Sequence, residues 1–356
     1  MSAMSDAVKP SFDAGALSAA SATISDKEAL ALAKGRFGID GMVTRLATEK
    51  DDTFRLTSHM GQNYTLKIAN SAENPREIAF QIDLLGYIAA ADPRLPVPRV
   101  VPDRDGKLQT SCRDAAGQIR HVHLLTYLEG VPLSEIVSTA RGREKVGEVL
   151  AGLRLAMANY SNEADTREIA WDLRHLLKLE PLLNEIADPA QRQLVSAGLD
   201  RFASIAGRLE ACRRQVLHND FSKSNIVVND ADERFVTGVI DFGDAVRTAV
   251  AVDVSTALLN QLPSQEGGEF FAHGHDLLRG YLRVADLTGE ELSLIPHLVM
   301  GRVVARALLT IWRGRLFPGN AQYILRNTNQ GWYQLQWFMS RPMESVTETF
   351  LAAVRK

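Results

Sequence analysis

The stretch Val216–Asp244, VLHNDFSKSNIVVNDADERFVTGVIDFGD, constrains this chain more than any other. Ile226–Val228 and Val236–Ile240 are short, β-branched, apolar runs, and they predict paired strands. Asn229–Arg234 between them is rich in turn formers and charge. A hairpin there returns Asp241, at the end of the second strand, to Asn225, just before the first. One carboxylate and one amide oxygen then converge on a place for a divalent cation. Hard oxygen ligands with room for phosphate oxygens suit Mg²⁺. Asp220 lies five residues before Asn225 in a tight loop, free to accept a proton from an alcohol. The bland alternative is an Asx-turn loop beside an ordinary hairpin.

The run His218-Asn219-Asp220 through Asn225, followed by Ile240-Asp241-Phe242-Gly243-Asp244, resembles the catalytic core of protein-kinase-like enzymes. Among these it is similar to the aminoglycoside phosphotransferase and small-molecule kinase branch. The resemblance implies an α+β fold with two lobes: a small antiparallel-sheet N-lobe with one helix, and a larger, mainly helical C-lobe. It implies that Asp220 is the base, that Asn225 and Asp241 hold metal, and that His218 holds the loop and the metal motif in place. Asp244 is a candidate substrate contact.

A length of 356 residues fits two lobes, each able to bury a core. The formal net charge of −3 offers no basic field for nucleic acid. Cys112 and Cys212 make neither a disulfide framework nor a zinc cluster, which fits a reducing, cytoplasmic setting. No apolar run of membrane-span length and no secretory leader is evident, so no membrane partner is expected. Residues 1–25, rich in Ala and Ser, read as a poorly ordered arm with a short helix near Ala14–Ala20, or as a segment that packs on the body or on a partner. Residues 26–127 would form the nucleotide-binding N-lobe. Residues 128–356 would carry the catalytic loop, the metal site and the acceptor site.

Ser25-Asp26-Lys27-Glu28 predicts a capping box at a first helix, ended by Gly35 and Gly38. Met42–Leu46, Phe54–Ser58 and Tyr64–Ile68 alternate apolar residues and predict an antiparallel meander. The turn Thr48–Thr53 has no glycine, so a phosphate there would meet main-chain N–H groups and the Thr48 and Thr53 hydroxyls; an ordinary polar turn is the alternative. Lys67 sits inside the third strand, where a lysine is costly to bury without a partner. The kinase resemblance implies that it contacts the donor phosphates and pairs with a glutamate on the following helix, Pro75–Ala90: Glu77 first, Glu73 as fallback. A solvent-facing lysine on an edge strand is the plain alternative. Strands follow at Val100–Pro102, Leu108–Cys112 and His121–Tyr127. His121 and His123 share a strand face without further ligands nearby, which favours a structural role. The resemblance makes Thr126, Tyr127 and Leu128 the inter-lobe hinge that reads the purine edge.

Beyond Leu133 the pattern is helical: Arg143–Asn159, Trp171–His175, Leu176–Ala187, Pro189–Ala211, Thr248–Leu262, Glu269–Ala285, Leu292–Arg313 and Asn320–Arg341. Trp171 lines a substrate pocket or packs in the core. Asp253 braces the catalytic loop, caps a helix, or does both. Arg302 and Arg306, at i and i+4, share a helix face. They either receive a substrate carboxylate, which arginine forks suit, or make surface salt bridges.

Four stretches narrow the resemblance to the hydroxylysine kinase group of that superfamily: Tyr64-Thr-Leu-Lys-Ile-Ala-Asn; His123-Leu-Leu-Thr-Tyr-Leu-Glu-Gly; the catalytic run with Gly238-Val-Ile-Asp-Phe-Gly-Asp; and Leu316-Phe-Pro-Gly-Asn…Gly331-Trp. It implies 5-hydroxylysine as acceptor and GTP as donor, with ATP the alternative donor and Mg²⁺ the metal. Asn219 and Ser222-Lys223-Ser224 depart from that group's loop; Lys223 either reaches the γ-phosphate or marks a different acceptor. Homoserine, choline, ethanolamine and aminoglycosides remain alternative acceptors. Readings from other classes are a non-catalytic nucleotide-binding module, against which the intact Lys67, Asp220, Asn225 and Asp241 set speaks, and a metal hydrolase, which leaves Lys67 and Glu77 without a task. Oligomeric state is unassigned.

Overall fold

The computed structural model describes residues 19, 22–48 and 50–354. Helix α1 (Asp26–Leu32) opens on the expected capping box: Ser25 Oγ accepts from the Glu28 N–H, and the Glu28 carboxylate accepts from the Ser25 N–H at 2.8 Å. A wider turn over Ala33–Phe37 follows, and Gly38 at φ 73° ends it. The helix expected near Ala14–Ala20 lies outside the described residues except for Ala19. The carbonyls of Ala19 and Ala22 accept hydrogen bonds from Asn70 and Arg120 of the N-lobe.

The N-lobe sheet is antiparallel throughout. It contains β1 (Gly41–Leu46), β2 (Asp52–Ser58), β3 (Asn63–Ile68), β4 (Val100–Val101), β5 (Thr110–Arg113) and β6 (Ile119–Thr126). The order is β1-β2-β3-β6-β4, with β5 on β6. Strand periodicity of two decides which face does what. Phe54, Leu56, Leu66, Ile68, Val122 and Leu124 point to one face and are buried together. Their neighbours Thr53, Lys67 and His123, aligned by register, fall on the other face, toward the inter-lobe cleft. On the buried face Arg120 is fully enclosed and is paired with Asp52 at 2.9 Å.

Between β3 and β4 runs helix α2 (Pro75–Ala91), capped by Asn74 and started by Pro75. It buries Ile78, Ile82, Leu85 and Ile88, at three- and four-residue spacing. The chain then leaves the N-lobe through Gly130. Its φ of 140° and a hypothetical Cβ only 2.5 Å from the Val228 carbonyl oxygen admit no other residue without displacement.

The C-lobe begins with β7 (Val131–Pro132) and α3 (Ala140–Ala156). The two helices expected over 171–187 form a single 3₁₀ stretch, Leu173–Glu185, containing Pro181, which removes a helical donor. Then come α4 (Pro189–Glu210), β8 (Arg214–Leu217), the hairpin β9 (Ile226–Val228) and β10 (Val236–Val239), and β11 (Val246–Ala249). Helices α5 (Val250–Leu259), α6 (Ala272–Val284), α7 (Gly289–Leu316), α8 (Ala321–Ile324), α9 (Thr328–Met339) and α10 (Met343–Val354) complete it. The run read from sequence as helical from Thr248 starts instead as β11, because it pairs with β8 immediately before the catalytic loop. The helix expected over 320–341 is broken near Asn327. Helix α7 is long and apolar enough to cross a membrane by length and composition, yet 89% of its apolar window is buried. It is the spine of this lobe, packed on α4, α5, α9 and the 3₁₀ stretch. The architecture is the expected two-lobed α+β, protein-kinase-like arrangement.

Candidate active site

The antiparallel pair β8–β11 and the hairpin β9–β10 aim the catalytic loop and the metal motif at one another. Ile240 N–H donates to the Asn225 carbonyl at 2.9 Å, so Asp241 follows directly beside Asn225. Asp241 itself sits at φ 63°, a left-handed conformation unusual for a side-chain-bearing residue.

The loop is held from below. Asn219, also left-handed at φ 62°, donates its backbone N–H to Asp253 Oδ1 at 2.8 Å. Asp253 lies in the first turn of α5, but Ala249 occupies the cap position, and the carboxylate turns to the loop instead. Burial pushes it up to about 6. Arg302 donates to the Trp171 carbonyl at 2.6 Å and to the Asn219 carbonyl and Oδ1. His218 contacts Ile240 O through Nε2 at 3.0 Å, while its Nδ1 accepts from the Asp220 N–H. Those two bonds select the Nε2–H tautomer. Burial holds the ring neutral, with its pKa lowered to about 4. Its ring packs on Phe242, centroids 4.6 Å apart. One imidazole thus ties the catalytic loop to the end of β10 and to the D-F-G turn.

Asp220 opens into the cleft. Asn225 Nδ2 donates to its Oδ2 at 2.6 Å and to its carbonyl at 3.0 Å, which leaves the amide oxygen of Asn225 directed elsewhere. Burial, followed by the charges of Asp244 and Asp241, raises the Asp220 carboxyl well above the usual range. Asp241 behaves oppositely. Lys67 Nζ lies 3.2 Å from its Oδ1 and holds it down to about 2. Its side chain is half exposed to the cleft, at 52%. Asp244 is raised by burial, with Lys50 opposing.

The partner expected for Lys67 is corrected. Glu77 does not pair with Lys67. It accepts from Arg167, which also donates to the carbonyls of Gly243 and Ala245 at 2.6 and 2.8 Å. The first turn of α2 therefore docks on the metal loop through Arg167. The fallback, Glu73, is taken by Lys50. Neither Lys50 nor Arg167 was singled out from sequence. Lys50 lies in the glycine-free turn, and a lone polar lysine there carries no periodic signal. Arg167 lies in an irregular loop, 90 residues from Glu77. Burial counts against the Lys50 charge, but Glu73, Asp51 and Asp244 outweigh it and raise its pKa.

The cleft between the lobes has a volume of about 1110 Å³. Thr48, Thr53, Lys67 and the hinge residues Thr126, Tyr127 and Leu128 line its N-lobe side. Thr48 Oγ1 donates to the Asp51 carbonyl. Thr53 Oγ1 is buried without a partner. Thr126 and Tyr127 donate their N–H groups to Arg99 O and Asn63 O. Lys223, Asp244, Trp171, Arg302 and Arg306 line the rest. Burial lowers the Lys223 pKa. Arg302 and Arg306 form none of the surface salt bridges considered from sequence: Arg302 is 4% exposed and bound to backbone, and Arg306 faces the cleft. His121 contacts Gln109, and among the described residues the buried His123 Nδ1 has no hydrogen-bond partner.

The donor set fits Mg²⁺. Asp241, the free amide oxygen of Asn225 and Asp244 are hard oxygens on the cleft wall. Among the described residues no group of three or more His, Cys, Asp or Glu forms a complete metal cage. A cation there would draw its remaining ligands from phosphate and water, as Mg²⁺ in phosphoryl-transfer sites does.

Comparison with known proteins agrees with this geometry. The profile of the phosphotransferase enzyme family (APH) matches residues 43–287. The chain is 24% identical to a hydroxylysine kinase of Mus musculus over 93% of both chains. It is 30% identical to a homoserine kinase of Xanthobacter autotrophicus over 70% of this chain and 73% of that one. Among solved structures, a microcompartment-associated aminopropanol kinase superposes with a TM-score of 0.69 at 19% identity, covering 86% of this chain and 96% of its own. An amicoumacin kinase does so with a TM-score of 0.66 at 18% identity, covering 86% and 93%. The chain belongs to the phosphotransferase enzyme family, as a nucleotide-using small-molecule kinase acting on an alcohol-type acceptor.

Proposed function

We propose that this enzyme transfers the γ-phosphoryl group of ATP or GTP to the hydroxyl of a hydroxy amino acid or amino alcohol, with 5-hydroxylysine the leading acceptor and homoserine the second. The observation that carries it is Asp220. Its carboxylate is held by Asn225 at the meeting point of the metal motif and the open cleft. Hydroxylysine as first choice rests on the similarity to the mouse hydroxylysine kinase along almost the whole chain. Homoserine rests on the bacterial homoserine kinases.

The transfer is direct and in line. Asp220 orients the acceptor hydroxyl and takes its proton as the oxygen attacks the γ-phosphorus; the bond to the β-phosphate oxygen breaks, and the nucleoside diphosphate leaves. Lys67, released from Asp241, neutralises the phosphates. Asn225 and Asp241 would hold Mg²⁺, which would supply positive charge to neutralise the donor phosphates. His218, Arg302 and Asp253 hold the loop in register, so catalysis is positioning and charge stabilisation. Since Thr126 and Tyr127 have spent their N–H groups, the purine edge is read by their carbonyls and by Leu128. The free Cys112 and Cys212 are in keeping with a cytoplasmic enzyme.

The test is a nucleotide-consumption screen. Protein with Mg²⁺ is offered ATP and GTP against 5-hydroxylysine, homoserine, ethanolamine, choline and kanamycin. Turnover with a hydroxy amino acid supports the proposal. Turnover confined to choline, ethanolamine or kanamycin retains the kinase and removes 5-hydroxylysine and homoserine as acceptors.

A further inference from the structure

Arg302 and Arg306 are one helical turn apart on α7, yet they are in opposite conditions. Arg302 spends its guanidinium on the backbone of the catalytic loop and of Trp171. Arg306 makes, among the described residues, a single weak hydrogen bond, from Nη1 to the Asn327 carbonyl at 3.5 Å. Its side chain lines the same cleft as Asp220. Burial first, then the like charge of Arg302, pulls its pKa down to about 10, with Asp220 opposing and Arg326 adding to the fall. Arg326 lines the same end of the cleft. A half-buried guanidinium this poorly partnered gains from an anion that completes it.

Asp220, Asp241 and Asp244 gather around the catalytic loop and the metal motif, with Lys67 and Lys50 beside them, and Arg306 and Arg326 add two guanidiniums to the same cleft wall within each other's field. The donor phosphates belong with the metal motif. An acceptor must place its hydroxyl at Asp220 and the rest of its body toward Arg306. A polycation or a quaternary ammonium would meet two guanidiniums there. A carboxylate would meet a planar fork that suits it.

Resting on the kinase reading above, we propose that Arg306 is a carboxylate-binding subsite that selects acid-bearing hydroxy acceptors over amino alcohols and aminoglycosides. The break between α8 and α9 supports this: it brings the Asn327 carbonyl to Arg306, and among the described residues no carboxylate is bonded to the guanidinium.

The experiment compares acceptors that differ only in the carboxylate: 5-hydroxylysine with 1,5-diaminopentan-2-ol, and homoserine with 3-aminopropan-1-ol. The wild type is expected to favour the acid of the pair it uses by about 100-fold in kcat/KM. Arg306→Met is expected to remove that preference through KM for the acid. Its nucleotide KM and its rate on the decarboxylated partner should stay unmoved, and both serve as the control for folding. Arg306→Lys, which keeps the charge without the fork, should fall between the two. Equal use of both members of a pair by the wild type, or an equal loss on both in Arg306→Met, overturns the subsite and leaves the kinase reading intact. Absence of acceptor-dependent nucleotide turnover with every compound overturns both.

Discussion

On the N-lobe side of the cleft Lys67 is matched to Asp241 and Lys50 to Glu73; on the C-lobe side the Arg306 guanidinium has, among the described residues, only a stretched contact to a carbonyl. The first arrangement keeps each cation paired with an acidic residue. The second leaves a charge waiting for a ligand. Machinery common to many phosphotransferases can afford to be self-satisfied when empty, because any nucleotide triphosphate re-pairs it. A selective acceptor site gains from being unsatisfied until the right acceptor arrives, because a wrong one then leaves a buried polar group unpaired.

Removing the shared chemistry should have the largest effect. Asp220→Ala is expected to lower kcat by about 10³-fold, within the usual range for a lost general base, while nucleotide affinity is spared. Comparable turnover in that variant would remove Asp220 as base. Asp241→Ala should instead abolish the Mg²⁺ dependence of nucleotide binding, read by calorimetry with and without the metal. If binding in that variant keeps its metal dependence, the cation lies elsewhere.

Arg302 tests the contrast within α7. Two of its three hydrogen bonds brace the catalytic loop at Asn219 and the third holds the Trp171 carbonyl, so Arg302→Met should cost about 2–4 kcal/mol of stability and lower kcat, without a selective rise in acceptor KM. A selective rise in acceptor KM would make Arg302, too, an acceptor residue. A smaller effect is expected at the donor end. Lys50→Met should raise nucleotide KM about tenfold, as for one lost charged contact, whereas Glu73→Gln should not. Equal behaviour of the two variants would reduce Lys50–Glu73 to a structural pair.

The least effect concerns stability. His123, His218 and His297 are buried and have pKa values lowered to about 3, 4 and 4 from 6.5. The unfolded chain takes up these protons first, so their contribution is complete above about pH 6.5 and is lost as pH falls toward 4. The thermal midpoint should drop between pH 7 and pH 5, and a flat profile would contradict neutral burial.

What could be read from the chain without its fold was local. Asp220, Asn225 and Asp241 converge because a five-residue interval and one hairpin bring them together, and both are visible as spacing. The strand faces followed from alternation, which sent Lys67 to the cleft and Leu66 to the core. Helix α1 and its capping box were legible for the same reason. What escaped depended on contacts between distant segments. Glu77 lay at the expected place on α2, but Arg167 from an irregular loop captures it, and no periodicity announces that loop. The run from Thr248 is apolar enough for a helix, and only its pairing with β8 makes the start a strand. Arg302 and Arg306 were rightly seen to share a face, while their different partners were fixed by Trp171, Asn219 and Asn327, none of them near in sequence.

The most direct test is ³¹P NMR of the wild-type enzyme with Mg²⁺, nucleotide and 5-hydroxylysine or homoserine. A phosphomonoester resonance on the acceptor should grow in step with loss of the γ-phosphate, and it should be absent with Asp220→Ala. Growth of inorganic phosphate alone, at the same rate with and without acceptor, would show hydrolysis and contradict transfer to a hydroxyl.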